Sequence, residues 1–182
     1  MATGTSTDTI QTIIFDLGGV IVDFEHQSIC RGLARHCSLT PETIYTEIFD
    51  SGLERQFDLG HISPQSFSES VCSRIGAKIE PALFQKIWSD IFSVNPGTQK
   101  IIQALHGRYP LACLSNTNIW HFEFCRRRFA PLQSFQDFIL SYQVGHAKPG
   151  REIFEEALRR TNFAPAECLC ELAVHFFYHR KR

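Results

Sequence analysis

The feature that most narrows the fold of this chain is a short apolar run ending in an acid and a glycine pair, Thr12-Ile13-Ile14-Phe15-Asp16-Leu17-Gly18-Gly19. A run with no polar alternation suits a strand buried on both faces, and such strands belong to parallel sheets covered by helices. The glycines after it mark a turn. Two later segments repeat the pattern. Pro110-Leu111-Ala112-Cys113-Leu114 runs into Ser115-Asn116-Thr117-Asn118, and Phe138-Ile139-Leu140 forms a third strand. Helical periodicity is predicted over about 97–106, 119–129 and 151–161. Strands alternating with helices give an α/β fold with a parallel sheet.

Between the first strand and the rest, residues from about 28 to 94 follow a helical pattern. Thr40-Pro41-Glu42, Ser63-Pro64 and Asn95-Pro96 each place a capping side chain before a proline, the signature of a helix start. Ile44, Ile48 and Phe49 share one face of the first of these helices, and Asp58-Leu59-Gly60-His61-Ile62 is predicted to be a connecting turn. The block therefore holds four or so helices. The expected organisation is a Thr/Ser-rich, disordered tail over 1–11, a core from 12–27 and 95–182, and a helical insertion over 28–94.

Composition removes several function classes. With 182 residues the chain makes one domain of ordinary size, and 43% apolar against 20% charged residues is globular. Lys plus Arg is 18 and Asp plus Glu is 19, a net charge of 18 − 19 = −1, which argues against a dedicated nucleic-acid binder. No segment approaches the ~20 apolar residues of a membrane span, and the first residues lack a basic start and an apolar stretch, so a cytoplasmic location is expected. The seven cysteines are odd in number and show no Cys-x-x-Cys pairing, which favours free thiols in a reducing compartment over zinc or disulfides. Sixteen phenylalanines point to an aromatic-rich core.

Ligands of open α/β sheets bind at the carboxyl ends of the strands. Asp16 stands there after the first strand, Ser115 and Asn116 after the second, and Lys148 in the loop after the third. A carboxylate nucleophile, a hydroxyl and an amide to hold an anion, and a cation to offset charge suit phosphoryl transfer through an aspartyl intermediate. Each residue alone has a plainer reading, a strand-end cap for Asp16 and an ordinary turn for Ser115-Asn116; the ordered set is more specific.

On these residues the chain resembles the haloacid dehalogenase-like hydrolase superfamily. Ile13-Ile14-Phe15-Asp16-Leu17-Gly18-Gly19-Val20 is similar to that family's first motif, Leu114-Ser115-Asn116 to its second, and Lys148-Pro149 with Ile153-Phe154 to its third. Phe57-Asp58-Leu59-Gly60-His61-Ile62-Ser63 resembles a cap segment of phosphatases similar to glucose-1-phosphate phosphatases and to epoxide hydrolase N-terminal domains. The resemblance runs from residue 12 to about 169. It implies a three-layer Rossmann-like core with an inserted α-helical cap, and a hydrolase that removes phosphate from a small phosphorylated metabolite. By the same resemblance Asp16 is the nucleophile, Ser115 and Asn116 bind substrate, Lys148 offsets charge, and Asp16 with the Gly18 carbonyl holds magnesium. No nucleic-acid or membrane partner is implied.

Two departures qualify this. The family's phosphatases carry a second Asp two residues after the nucleophile as general acid and base, and this chain has Gly18; Asp23 is an alternative acid, its other reading being a helix-start carboxylate. The family's fourth motif, a strand ending in an acidic pair that holds magnesium, would fall at about Leu172 and Ala173, with Glu171 as a conceivable substitute ligand. The core is therefore expected to stop short of the usual last strand and helix, unless residues 168–178 pair beside the first strand instead. Magnesium is expected to bind weakly or not at all, and the phosphatase to be weak. The alternatives are a catalytically silent protein of this fold and a metal-independent hydrolase of the dehalogenase kind.

Overall fold

The structure, a computed structural model, describes residues 10–171. Its strands are β1 (Thr12–Phe15), β2 (Val22–Phe24), β3 (Phe92–Val94), β4 (Leu111–Ser115), β5 (Asp137–Leu140) and β6 (Cys168–Glu171). Its α-helices are α1 (His26–Leu33), α2 (Pro41–Tyr45), α3 (Leu53–Asp58), α4 (Pro64–Ile75), α5 (Pro81–Ser89), α6 (Pro96–Leu105), α7 (Ile119–Arg128), α8 (Ser141–Val144) and α9 (Arg151–Thr161).

Four strands form a parallel sheet in the order β5-β4-β1-β6, which puts β1 in the interior. Successive β1 residues feed two separate cores. Ile13 and Phe15 pack with Ile102 of α6 and Phe122 and Cys125 of α7. Ile14 joins Ala112, Leu114, Ile139 and, from α9, Ile153 and Ala157. Helices thus cover both faces of the sheet, as the unbroken apolar run predicts, and give the three layers that the family resemblance implies.

The segment from α1 to α5 has a core of its own. Phe57 and Phe67 stack with centroids 4.4 Å apart, and Trp88 meets Phe67 edge-on at 4.6 Å, with Ile29, Ile44 and Ile48 around them. The predicted helix starts hold: the Thr40, Ser63 and Asn95 side chains each accept from a backbone N–H in the first turn, ahead of the proline. The face carrying Ile44 and Ile48 crosses from α2 into a π-helical turn at Thr46–Asp50.

Two elements differ from expectation. Phe92–Val94 lies in the block predicted as helical, yet it is a strand, paired antiparallel with β2. Three residues are too few for a period to register, and the partner is some 70 residues away in sequence. For the same reason Asp23 is no helix-start carboxylate: it sits in the middle of β2 opposite Ser93, exposed, and α1 begins only at His26. The place beside β1 is filled by β6, whose Cys168, Leu169, Cys170 and Glu171 align with Thr12, Ile13, Ile14 and Phe15. Residues 172–178 of the expected pairing segment, and residues 1–9 of the expected tail, lie outside the described residues.

All seven cysteines are free. Arg126, Arg127 and Arg128 occupy the last turn of α7, where cations favour the helix dipole, and Arg126 lies 4.8 Å from the Phe138 ring centroid. Among the described residues no helix is long and apolar enough to cross a membrane.

Candidate active site

Asp16 is the residue directly after β1, at its carboxyl end, and only 4% of it is exposed. Its backbone is fixed from the neighbouring edge, where its N–H donates to the Glu171 carbonyl (2.9 Å). Its Oδ1 accepts from the Leu17 backbone N–H at 2.8 Å and from Lys148 Nζ at 2.7 Å. The carboxylate plane is thus set by a local turn and by a cation brought from the loop before α9. Lys148 also donates to the Leu114 carbonyl (2.9 Å), so its ammonium joins the ends of β1 and β4.

The loop carrying Lys148 is held by Asn116. The Asn116 Nδ2 donates to the Lys148 carbonyl at 2.9 Å, and Asn116 Oδ1 accepts the Lys148 N–H at 2.8 Å. This two-way clasp engages both ends of the amide, so the described geometry makes Asn116 a support for Lys148. Ser115, the last residue of β4, is buried, and its hydroxyl donates to the Asn116 carbonyl at 3.3 Å, a long contact that leaves the group easily redirected. Asp16, Ser115, Asn116 and Lys148 therefore converge from three segments onto one end of the sheet.

Gly18 and Phe24 define the next wall. A Cβ built on Gly18 would lie 2.6 Å from Phe24 Cε1 and 3.3 Å from Cδ1. The phenyl ring, itself 5.0 Å from the His26 ring and 5.8 Å from Phe92, fills the space that a side chain at position 18 would need. Glycine at 18 is thus matched to an aromatic ring from β2.

The donors for magnesium are incomplete among the described residues. No group of three or more His, Cys, Asp and Glu side chains gathers to hold a metal there. Asp16 and the Gly18 carbonyl offer hard oxygens, whereas magnesium takes six in near-octahedral array. Glu171 contributes its carbonyl to Asp16 N–H and is exposed, paired with Phe15 rather than with Asp16. Leu172 and Ala173, where the family's acidic pair would fall, lie outside the described residues. The described set does not make a magnesium site by itself.

Four participants escaped the sequence reading: Asp58, Thr117, Asn118 and Ser141. Asn118 caps α7 by accepting the His121 N–H at 3.0 Å, and its Nδ2 donates to Asp58 Oδ1 at 2.8 Å. Ser141 Oγ accepts the Thr117 N–H at 2.9 Å and lies 2.6 Å from the Asp58 carbonyl. The signal that was available is the Asn118 cap before Ile119; its reach to Asp58, 60 residues away, has no local trace. A recess of about 310 Å³ between the α3–α4 turn, Ile119 and Tyr142 is lined by none of Asp16, Ser115, Asn116 or Lys148.

The chain is similar to known proteins in sequence and in fold. The family model of the haloacid dehalogenase-like hydrolases matches residues 10–170. The chain is 28% identical over 167 residues to a D-ribitol-5-phosphate phosphatase of Bacteroides thetaiotaomicron, covering 88% of this chain and 81% of that one. An enzyme of the same family from that organism, solved with magnesium and inorganic phosphate, superposes with a TM-score of 0.78 at 21% identity over 88% of this chain and 83% of the other. An L-2-haloacid dehalogenase from Xanthobacter autotrophicus reaches 0.62 at 18% identity, over 89% and 69%.

Proposed function

The chain belongs to the haloacid dehalogenase-like hydrolase family, and from that premise we propose that it is a phosphatase of small phosphorylated metabolites with Asp16 as its nucleophile. The observation that carries this reading is the buried Asp16–Lys148 pair at the carboxyl end of β1, with Ser115 beside it on β4. In the proposed reaction an Asp16 carboxylate oxygen attacks phosphorus, the bond from phosphorus to the ester oxygen breaks, and the substrate alkoxide leaves, taking up a proton from solvent water. Water then attacks the aspartyl-phosphate, releasing inorganic phosphate and restoring Asp16. Lys148 offsets the repulsion between the nucleophile and the phosphate dianion, and the Ser115 hydroxyl, redirected from its weak contact, donates to a phosphoryl oxygen. Asn116 holds Lys148 in place.

The helical insertion, residues 28–94, is proposed as a cap that closes over this end of the sheet and selects the substrate. The relative's D-ribitol 5-phosphate illustrates the kind of small phosphate ester that such a cap admits. Turnover is proposed to be weak. Among the described residues magnesium has only a partial set of oxygens, and a missing general acid typically costs about 10²–10⁴-fold. A metal-independent displacement by Asp16, of the dehalogenase kind, is the second reading, favoured by the glycine at position 18, which carries no acid.

A screen of phosphate esters with and without magnesium, run beside chloride release from 2-chloropropionate, tests both. Phosphate release is expected from the parent, and Asp16→Asn, nearly isosteric yet unable to attack, should lose it by several orders of magnitude while folding normally. A variant as fast as its parent removes Asp16 as the nucleophile.

A further inference from the structure

The turn of residues 115–118 carries Ser115 and Asn116, and it is tied down at each later residue. Asn116 is clasped to Lys148, Thr117 to Ser141, and Asn118 to the helical insertion. The last tie is the most complete. His121 Nε2 faces the Trp88 carbonyl at 2.9 Å, and a carbonyl only accepts, so the ring proton sits on Nε2. Nδ1 is then an acceptor and takes an Asn118 Nδ2 hydrogen at 3.1 Å. Asn118 gives its other amide hydrogen to Asp58 Oδ1 (2.8 Å), while its own oxygen accepts the His121 N–H. Every polar atom of the fully buried Asn118 side chain is used, in one arrangement only.

Both outer partners, Asp58 at the end of α3 and Trp88 in α5, belong to the insertion. Asp58 meets the core a second time through its carbonyl, which lies 2.6 Å from the Ser141 hydroxyl; Ser141 in turn accepts the Thr117 N–H (2.9 Å), and its one hydroxyl hydrogen is shared between the Asp58 carbonyl and the more distant Thr117 carbonyl (3.0 Å). The α3–α4 turn presses closely here, since a Cβ on Gly60 would overlap the Tyr142 carbonyl. One residue of the insertion therefore grips two consecutive residues of the turn, Thr117 through Ser141 and Asn118 directly.

We propose that Asp58 is a positioning residue, which sets the 115–118 turn for phosphate binding by holding Asn118 from the insertion. The proposal rests on the phosphatase reading for its functional meaning and on the hydrogen-bond geometry for its mechanism. Placement of the insertion and placement of the phosphate-binding turn become one variable, so Ser115 is correctly set only when the end of α3 is docked.

The test compares Asp58→Ala with Asp58→Asn in the full chain, using inorganic phosphate as the probe with magnesium present, by titration calorimetry, and following backbone amide exchange. Asparagine keeps an oxygen for Asn118 Nδ2 and alanine does not. Displacements near 1 Å in a reacting site cost on the order of 10²-fold, so Asp58→Ala should weaken phosphate binding by about tenfold or more, and Asp58→Asn by no more than about threefold. Exchange in Asp58→Ala should quicken at 116–121 while β4 stays protected. Equal phosphate affinity in Asp58→Ala and the parent overturns the proposal, as does an equal loss in both variants with protection falling across the whole sheet. If the parent itself binds no phosphate, the phosphatase reading fails, and exchange at 116–121 alone decides: local quickening in Asp58→Ala, restored in Asp58→Asn, supports the coupling, and unchanged protection overturns it.

Discussion

Position 18 offers a perturbation whose size can be worked from the structure. A Cβ on Gly18 would stand 2.6 Å from Phe24 Cε1, and ordinary carbon contacts begin at about 3.5 Å, so the ring must retreat by roughly 1 Å. Phe24 is not free to swing: its ring lies 5.0 Å from His26 and 5.8 Å from Phe92, aromatic contacts worth about 0.5–1.5 kcal/mol each. Gly18→Ala should therefore behave as overpacking and cost about 1–3 kcal/mol. In a chain of this length that corresponds to a fall in Tm of roughly 3–10 °C. Phe24→Ala has its own cost, since it opens a gap beside His26 and Phe92. The double variant should be no less stable than Phe24→Ala alone, because the added methyl then enters space the ring has left. Urea unfolding of the four proteins gives the coupling directly. Gly18→Ala melting within a degree of the parent, or strictly additive losses in the double variant, would refute the packing argument. The functional corollary is that Gly18→Asp gains phosphatase activity only when Phe24 is also made small.

Two further outcomes follow from charges inside the protein. Lys148→Ala removes the ammonium that faces the Asp16 carboxylate, 4% exposed, at 2.7 Å; losing one member of a buried pair costs about 3–5 kcal/mol, so thermal unfolding should drop well below that of the parent, and an unchanged melt would show the pair to be inconsequential. Burial pushes the Asp58 carboxyl from its ordinary 3.8 up to about 7, against the lowering effects of Asn118 and Arg55. Folding then favours the protonated acid, so its stabilising contribution is complete below about pH 4 and is lost as pH rises through about 7. Glu54, raised by burial and by Asp58, acts in the same direction. His121 and His26, lowered by burial to about 3 and about 4, act oppositely below their ordinary 6.5. Asp58→Asn should thus gain in Tm relative to the parent between pH 5 and pH 8; a constant difference across that range would refute the assignment.

How much of this was legible in the sequence depends on how local each signal is. The β1 run has no polar alternation because both faces are covered, and that condition is written in four adjacent residues, Thr12 to Phe15. Helix starts at Pro41, Pro64 and Pro96 are equally local, since cap and proline are neighbours. The β2–β3 ribbon fails the same criterion. Each strand has three residues, and what makes Phe92–Val94 a strand is its pairing with Val22–Phe24. The β-branched Val20-Ile21-Val22 run could have flagged β2, and with it the exposed position of Asp23.

The site divides along the same line. Asp16, Ser115 and Lys148 stand out in the sequence because strand ends are the expected positions for chemistry in a parallel sheet, and the structure brings them to one end of that sheet. What the fold does not supply is which groups each side chain engages. Asn116 sits where a substrate contact was expected, yet its amide is closed onto the Lys148 backbone, 32 residues on. Gly18 reads in sequence as a missing acid, and in three dimensions it is half of a packing pair with Phe24. Asp58 lies in a segment that reads as a turn, and its carboxylate and carbonyl both reach toward the core. In each case the decisive contact crosses between segments, and a side chain's neighbours in sequence carry no record of it. Restoring an acid at position 18 alone would therefore be a repair to the motif and an injury to the packing, which is why the paired change with Phe24 separates a chain lacking one catalytic group from one whose surroundings have been rebuilt around that lack.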